Sequence, residues 1–281
     1  MSKIIVDDEA YANMWDVFAE EKASGYLLGN KYRADNIVGL IGVAREDEIF
    51  RALRLEAGES LLDVGCASGH QIFRAVPKCS HAVGIDVGKK FIETAKKYQA
   101  EHGIKNAEFL LTDGGKIPFP DNSFGKLICS EVIEHVPNHH SFLRELIRVV
   151  KPGGILVFTV PHWNSRGTFW KRLKNGFRPF PFVPLSDFSA KGIAEHKDAH
   201  VRQFSIKEFS DFVRGEGLLV EYDGGAAFVD GPYVGAVIAR TKKIRRMQSF
   251  FVGTEHTIAK IPFLKYFGRH IVLRARKAIN K

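Results

Sequence analysis

Between Leu61 and Pro161 short apolar runs alternate with stretches of helical period, the spacing of consecutive βαβ units. The pattern predicts strands at Ser60–Val64, His81–Asp86, Ala107–Thr112, Phe124–Ser130 and Ile155–Val160. It predicts helices after Gly69, over Lys89–His102 and over Ser141–Val150, the last ended by Pro152-Gly153-Gly154. Connections this short imply a doubly wound, mostly parallel sheet with helices on both faces. Upstream, Tyr11, Trp15 and Phe18, then Ile37, Leu40, Ile41, Ile49, Phe50 and Leu53 recur at helical spacing, so two or three N-terminal helices are expected. Downstream, Ser205 with Glu208 forms a capping box that opens a helix to Gly215. Leu218–Tyr222 and His270–Arg276 read as two more strands.

The division expected from this pattern is an N-terminal helical lid over residues 1–56 and a cofactor-binding core over 57–161. An aromatic and basic cap then covers 162–204, and 205–281 completes the sheet around a basic helical insertion at 231–267. Long irregular stretches inside a compact protein are usually lids or binding loops.

Composition adds boundaries. The 281 residues are 45% apolar and 26% charged, as in globular proteins, and no apolar run has the length of a membrane span. Asp7, Asp8 and Glu9 do not fit a signal peptide, and Cys66, Cys79 and Cys129 are too scattered for a disulfide framework or a zinc site. A soluble, reduced, cytoplasmic protein is therefore expected. The net charge of +9 is unevenly placed: residues 240–281 hold twelve basic side chains and one acid, and residues 162–200 hold seven basic and three acidic ones. Such asymmetry suits a localised anionic partner, whether a phosphate, a lipid headgroup or nucleic acid, or simply a solvated basic face.

The chemistry concentrates at strand ends. Leu61-Leu-Asp-Val-Gly-Cys-Ala-Ser-Gly69 places an acid, Asp63, before a tight turn of small residues. Asp86 ends the second strand about twenty residues on, where a carboxylate can accept both ribose hydroxyls, and Asp113 follows the third, where an acid can hold an adenine amine. A nicotinamide dehydrogenase would share this crevice but would want Gly-x-Gly-x-x-Gly, and Gly65-Cys-Ala-Ser-Gly69 departs from it.

These residues, together with Ile117-Pro-Phe-Pro-Asp-Asn-Ser-Phe124, Ser130-Glu-Val-Ile-Glu-His135 and Leu146–Gly154, resemble the class I S-adenosylmethionine-dependent methyltransferases. The likeness is to the group that includes quinone-biosynthesis enzymes. The resemblance implies a Rossmann-like seven-stranded sheet with an antiparallel last hairpin. It implies that Asp63, Gly65, Ala67 and Gly69 surround the methionine part of the cofactor and Asp86 its ribose. Val87 and Gly114 would then flank the adenine, Asp113 would bind its amine, and Ser130 would face methyl transfer. Some relatives use a similar Glu-x-x-Glu-His for magnesium, so Glu131, Glu134 and His135 are candidate Mg2+ ligands or, alternatively, pocket-shaping groups. His135 and His200 are the candidate bases.

Enzymes of this class that methylate base amines usually carry Pro-Pro-aromatic where this chain has Ser130-Glu131-Val132-Ile133, so a nucleic-acid acceptor is disfavoured. A small, apolar or lipid-like acceptor methylated on oxygen or carbon fits better. Lys242, Lys243, Arg245 and Arg246 followed by Phe250, Phe251, Phe263 and Phe267 suit peripheral docking on an anionic membrane surface. Trp163, Phe169, Trp170, Phe177, Phe180 and Phe182 could line an apolar acceptor or merely pack the cap on the sheet. A non-catalytic protein that retains the fold is the remaining alternative.

Overall fold

The computed structural model describes residues 37–162, 204–226, 257 and 268–279. Helix α1 spans Ile37–Leu53, followed by β1 (Ser60–Val64), α2 (His70–Ala75), β2 (His81–Asp86), α3 (Lys89–Glu101) and β3 (Ala107–Leu111). Then come β4 (Phe124–Ser130), a single 3-10 turn at Ile133–His135, α4 (His139–Val149), β5 (Val150–Pro161), α5 (Ile206–Gly215), β6 (Leu218–Ala226) and β7 (His270–Lys277). The expectations for residues 1–36, for most of the 162–204 cap including His200, and for the 231–267 insertion lie outside the described residues.

The seven strands lie in the order β3-β2-β1-β4-β5-β7-β6. The first five are parallel, whereas β7 runs antiparallel to both β5 and β6. The chain winds outward one way from β1 through β2 and β3, and the other way from β4, so β1 and β4 flank the switch point. In such sheets ligands bind outside the carboxyl ends of the strands at that point.

Strand periodicity sends alternate residues of β1 into two cores. Leu62 and Val64 join Leu127, Leu146, Phe158 and Phe209 on one face, and Leu61 joins Ile49, Ile72, Phe73, Phe109 and Val157 on the other. Helices α4 and α5 therefore cover one face, and α1, α2 and α3 the other. Ser205 and Glu208 make the expected reciprocal capping bonds, which fix where α5 begins.

The α4–β5 boundary differs from the sequence expectation. The helix ends at Val149, and β5 starts at once with Val150, so Pro152-Gly153-Gly154 lies within the strand instead of in a turn before it. The register against β4 shifts between Phe124 and Lys126, as a bulge does. A tertiary contact supports the abrupt change: Lys277 Nζ donates to the carbonyls of Ile147 at 2.8 Å and Val150 at 2.7 Å, satisfying oxygens left at the helix end. The β6 strand also runs further than its apolar start predicts, to Ala226, because β7 supplies a hydrogen-bonding partner for its full length.

Replacing the cap by Ser205→Ala should destabilise the protein by about 1 kcal/mol. Urea unfolding should show a lower midpoint with an unchanged slope.

Candidate active site

The turn after β1 is a cradle of backbone groups. Gly65, Ala67 and Gly69 all have positive φ, of 76°, 47° and 81°. At Gly65 a β-carbon would meet Val132 at 2.3 Å, and at Gly69 it would meet Phe109 at 2.5 Å, so close packing as well as conformation demands glycine. Ala67 carries its positive φ with a side chain, and its position is fixed by Asp86. The Asp86 carboxylate accepts the Ala67 N–H and the Gly88 N–H, each at 2.8 Å. Charge-assisted bonds of this kind tie the loop after β1 to the end of β2.

Asp63 lies at the base of the cradle and is 1% exposed. Burial, followed by the charges of Asp86 and Glu46, pushes its carboxyl well above the usual range. Its Oδ2 is buried without a hydrogen-bond partner. A buried carboxyl oxygen in that state accommodates a cationic or N–H-bearing ligand group, which the amino end of S-adenosylmethionine provides. Val87 is half-buried beside the loop, and Asp113 and Gly114 lie exposed just beyond β3. The Gly115 N–H donates to Asp113 Oδ1 at 2.9 Å, which orients that carboxyl at the rim. The candidate cofactor residues thus stand along the carboxyl ends of β1, β2 and β3.

Ser130 closes β4, and its hydroxyl shares a 2.8 Å hydrogen bond with Thr159 of β5. Glu131, the next residue, adopts φ 58°. Its carboxylate accepts the Thr159 hydroxyl at 2.9 Å and lies 3.3 Å from both Arg45 of α1 and His270 of β7. Burial alone would raise this carboxyl, but His270 and Arg45 hold it well below the usual range.

This arrangement does not support the magnesium expectation. Glu131 already has its charge matched by a guanidinium, which repels a further cation. Glu134 is fully buried with both carboxyl oxygens unpartnered, and burial, reinforced by Glu131, raises its pKa well above normal. His135 Nε2 stands 3.9 Å from Glu134 Oε1. Among the described residues no group of three or more His, Cys, Asp or Glu side chains is arranged to hold a metal ion.

Several polar residues at this edge carried no recognisable signal in the sequence. The run Arg45-Glu46-Asp47-Glu48 on α1 makes a link from each of its members. Arg45 goes to Glu131, Glu46 pairs with His70 and Arg74, Asp47 with Arg74, and Glu48 accepts the Tyr222 hydroxyl at 2.8 Å. Helix α1 therefore bridges the residue that follows the glycine loop, the end of β4 and strand β6. His162, 4% exposed after β5, lies with its Nδ1 3.1 Å from the Gly268 carbonyl, and burial lowers its pKa.

Strand order, the antiparallel final hairpin and the acid-ended strands define a Rossmann-like protein of the methyltransferase type. Residues 55–184 match the family described as a methyltransferase domain. The match covers a little under half of the chain, and what it supports is similarity to methyltransferases over that stretch. The chain is similar to a demethylmenaquinone methyltransferase from Listeria monocytogenes serotype 4a (strain HCC23), with 27% identity over 171 residues, 59% of this chain and 70% of the relative. Among solved structures the cyclase SpnF superposes with a TM-score of 0.57 at 20% identity, covering 84% of this chain and 82% of that one. A geranyl diphosphate methyltransferase bound to GPP and sinefungin superposes with a TM-score of 0.56 at 14% identity, covering 84% and 78%. At these identities the structural likeness concerns the fold alone. No helix among the described residues is long and apolar enough to cross a membrane.

The Asp63 environment yields a stability test. Its folded pKa is raised, so the folded state binds the proton more tightly than the unfolded state does. Wild-type stability should therefore fall as pH rises from the ordinary carboxylate range of about 4 towards neutrality. Asp63→Asn should raise the thermal midpoint at neutral pH, and its advantage should vanish in acid. Calorimetric melts across that range would check both.

Proposed function

We propose that the protein transfers the methyl group of S-adenosylmethionine to an oxygen or carbon of a small, apolar or lipid-like acceptor. The observation that carries the first half is the buried, unpartnered Asp63 oxygen beneath the Gly65–Gly69 cradle, next to the loop-anchoring Asp86. In this reading Asp63, Gly65, Ala67 and Gly69 receive the methionine part. Asp86 adds the ribose hydroxyls to the N–H groups it already accepts. Val87, Asp113 and Gly114 take the adenine, and Ser130 borders the transferred methyl. The cosubstrate supplies an already activated sulfonium, so the protein's task is to hold the acceptor in line and exclude water.

The acceptor class is supported by the relatives named for demethylmenaquinone, an apolar quinone. It also rests on the aromatic and basic composition of residues 162–200 and 240–281. The same composition supports peripheral contact with an anionic membrane, where such an acceptor would dissolve. Binding to anionic vesicles that weakens with salt, absent with neutral vesicles, is the expected result of co-sedimentation.

The cofactor assignment is tested by calorimetry. Wild-type protein should bind S-adenosylmethionine and its demethylated product. Asp86→Ala removes an acceptor of charge-assisted bonds worth roughly 1.5–3 kcal/mol each and should weaken cofactor binding at least tenfold. Unchanged affinity would refute the assignment. Mass spectrometry of lipid extracts incubated with isotope-labelled cofactor should then reveal the methylated acceptor.

A further inference from the structure

The switch point of the sheet is bordered by an apolar contact that the cofactor roles leave unused. Val64 pairs with Cys129, so Gly65 and Ser130 leave the ends of β1 and β4 side by side. Just beyond them, one side chain closes the gap between the two loops. A β-carbon built on Gly65 would lie 2.3 Å from Cγ2 of Val132, so the valine methyl rests directly on the glycine backbone. Glu131 delivers it there. Its φ of 58° turns the chain sharply after β4, and its N–H, donated to the Thr159 carbonyl at 2.9 Å, holds the turn. On the other side of Val132 the 3-10 turn closes, with the His135 N–H donated to the Val132 carbonyl at 2.9 Å and Ile133 fully buried. Valine is stiff about χ1 as well, so both its backbone and its rotamer are constrained. Val132 and Gly65 are nonetheless only half-buried, and both keep surface open to solvent at the carboxyl edge.

We propose that Val132 is a specificity-determining residue whose methyl groups limit the alkyl substituent on the cofactor sulfur to a single carbon. The inference rests on the cofactor reading above and deepens it. A sulfonium is pyramidal and carries three carbon substituents. In that reading the adenosyl arm runs by Asp86 towards the ends of β2 and β3, and the methionine arm lies on Gly65–Gly69. The third substituent is then left one direction, towards the end of β4, where Val132 stands against Gly65. A fixed, branched side chain at that place accommodates a methyl group and collides with a longer one. The wall has little room to retreat, because Val132 has the glycine backbone on one side and packs against the core cluster of α4 and α5 on the other. An apolar site of this kind discriminates one methylene by about 10- to 200-fold.

The test is calorimetric binding of three probes to the full-length chain. S-adenosylhomocysteine has no third substituent on sulfur, S-adenosylmethionine has a methyl group there, and S-adenosylethionine an ethyl group. Wild type should prefer the methyl over the ethyl sulfonium by at least about tenfold. Val132→Ala widens the space and should bring the two within about threefold of each other. Val132→Ile narrows it and should weaken S-adenosylmethionine by about tenfold. Both variants should bind S-adenosylhomocysteine within about twofold of wild type, a result that a merely loosened loop would not give. The two substitutions probe the wall from opposite sides, so either one decides the matter if the other fails to fold.

Equal binding of the two sulfoniums by wild type would overturn the proposal and leave the cofactor reading standing. So would an unchanged preference in the variants, or a parallel loss of all three ligands in a folded variant. If wild type binds none of the three, the cofactor reading itself fails, and the role of Val132 falls with it.

Discussion

The carboxyl edge of the sheet is organised by one carboxylate. Asp86 accepts the N–H of Ala67 from the loop after β1 and the N–H of Gly88 before α3, so a single side chain sets two turns. Without it, the left-handed Ala67 would have no bond holding it to β2. The arrangement also concentrates negative charge, because Asp63 is buried close enough to Asp86 and Glu46 for both to raise its pKa. Such crowding is unfavourable in the free protein and favourable once a cationic ligand is bound. In the proposed cofactor reading, stability given up at the site would be recovered as affinity.

The other half of the edge solves the opposite problem. Glu131 is a carboxylate that lies 3.3 Å from both Arg45, which matches its charge, and His270, and its backbone strain is held by Thr159. Glu134, only three residues on, is buried with no such matching and is driven towards its neutral form. Two acids in one short segment therefore differ in protonation because their surroundings differ, as chemically identical groups do when one is paired and the other only desolvated. This difference also makes the two acids unequal candidates as ligands of a divalent cation.

Helix α1 joins the two halves. Its Arg45-Glu46-Asp47-Glu48 run reaches the end of β4, the start of α2 and strand β6, while Ile49, Ala52 and Leu53 bury its apolar side against the sheet. Polar links that are largely buried tolerate little displacement, since breaking one leaves an unmatched charge. The helix consequently couples the glycine loop to the end of β4 mechanically as well as electrostatically.

The alternation of apolar runs and helical periods determined the five parallel strands and their order of appearance, because strand and helix periods are local properties of the chain. The acids Asp63, Asp86 and Asp113 were legible for the same reason: each follows an apolar run, and parallel strands in a doubly wound sheet put their ends on one edge. The capping box at Ser205 was equally local. The start of β5 at Val150 was not legible, since it depends on Lys277, more than a hundred residues away, satisfying the carbonyls at the helix end. Nor was the position of His270. The antiparallel direction of its strand followed from the family resemblance and not from His-Ile-Val-Leu-Arg-Ala-Arg itself, and only the pairing with β5 shows that this direction carries its first residue to the carboxyl edge beside Glu131. The residue types at the site belong to the sequence; which charges meet there was decided by the pairing of β7 with β5 and by the packing of α1 across them.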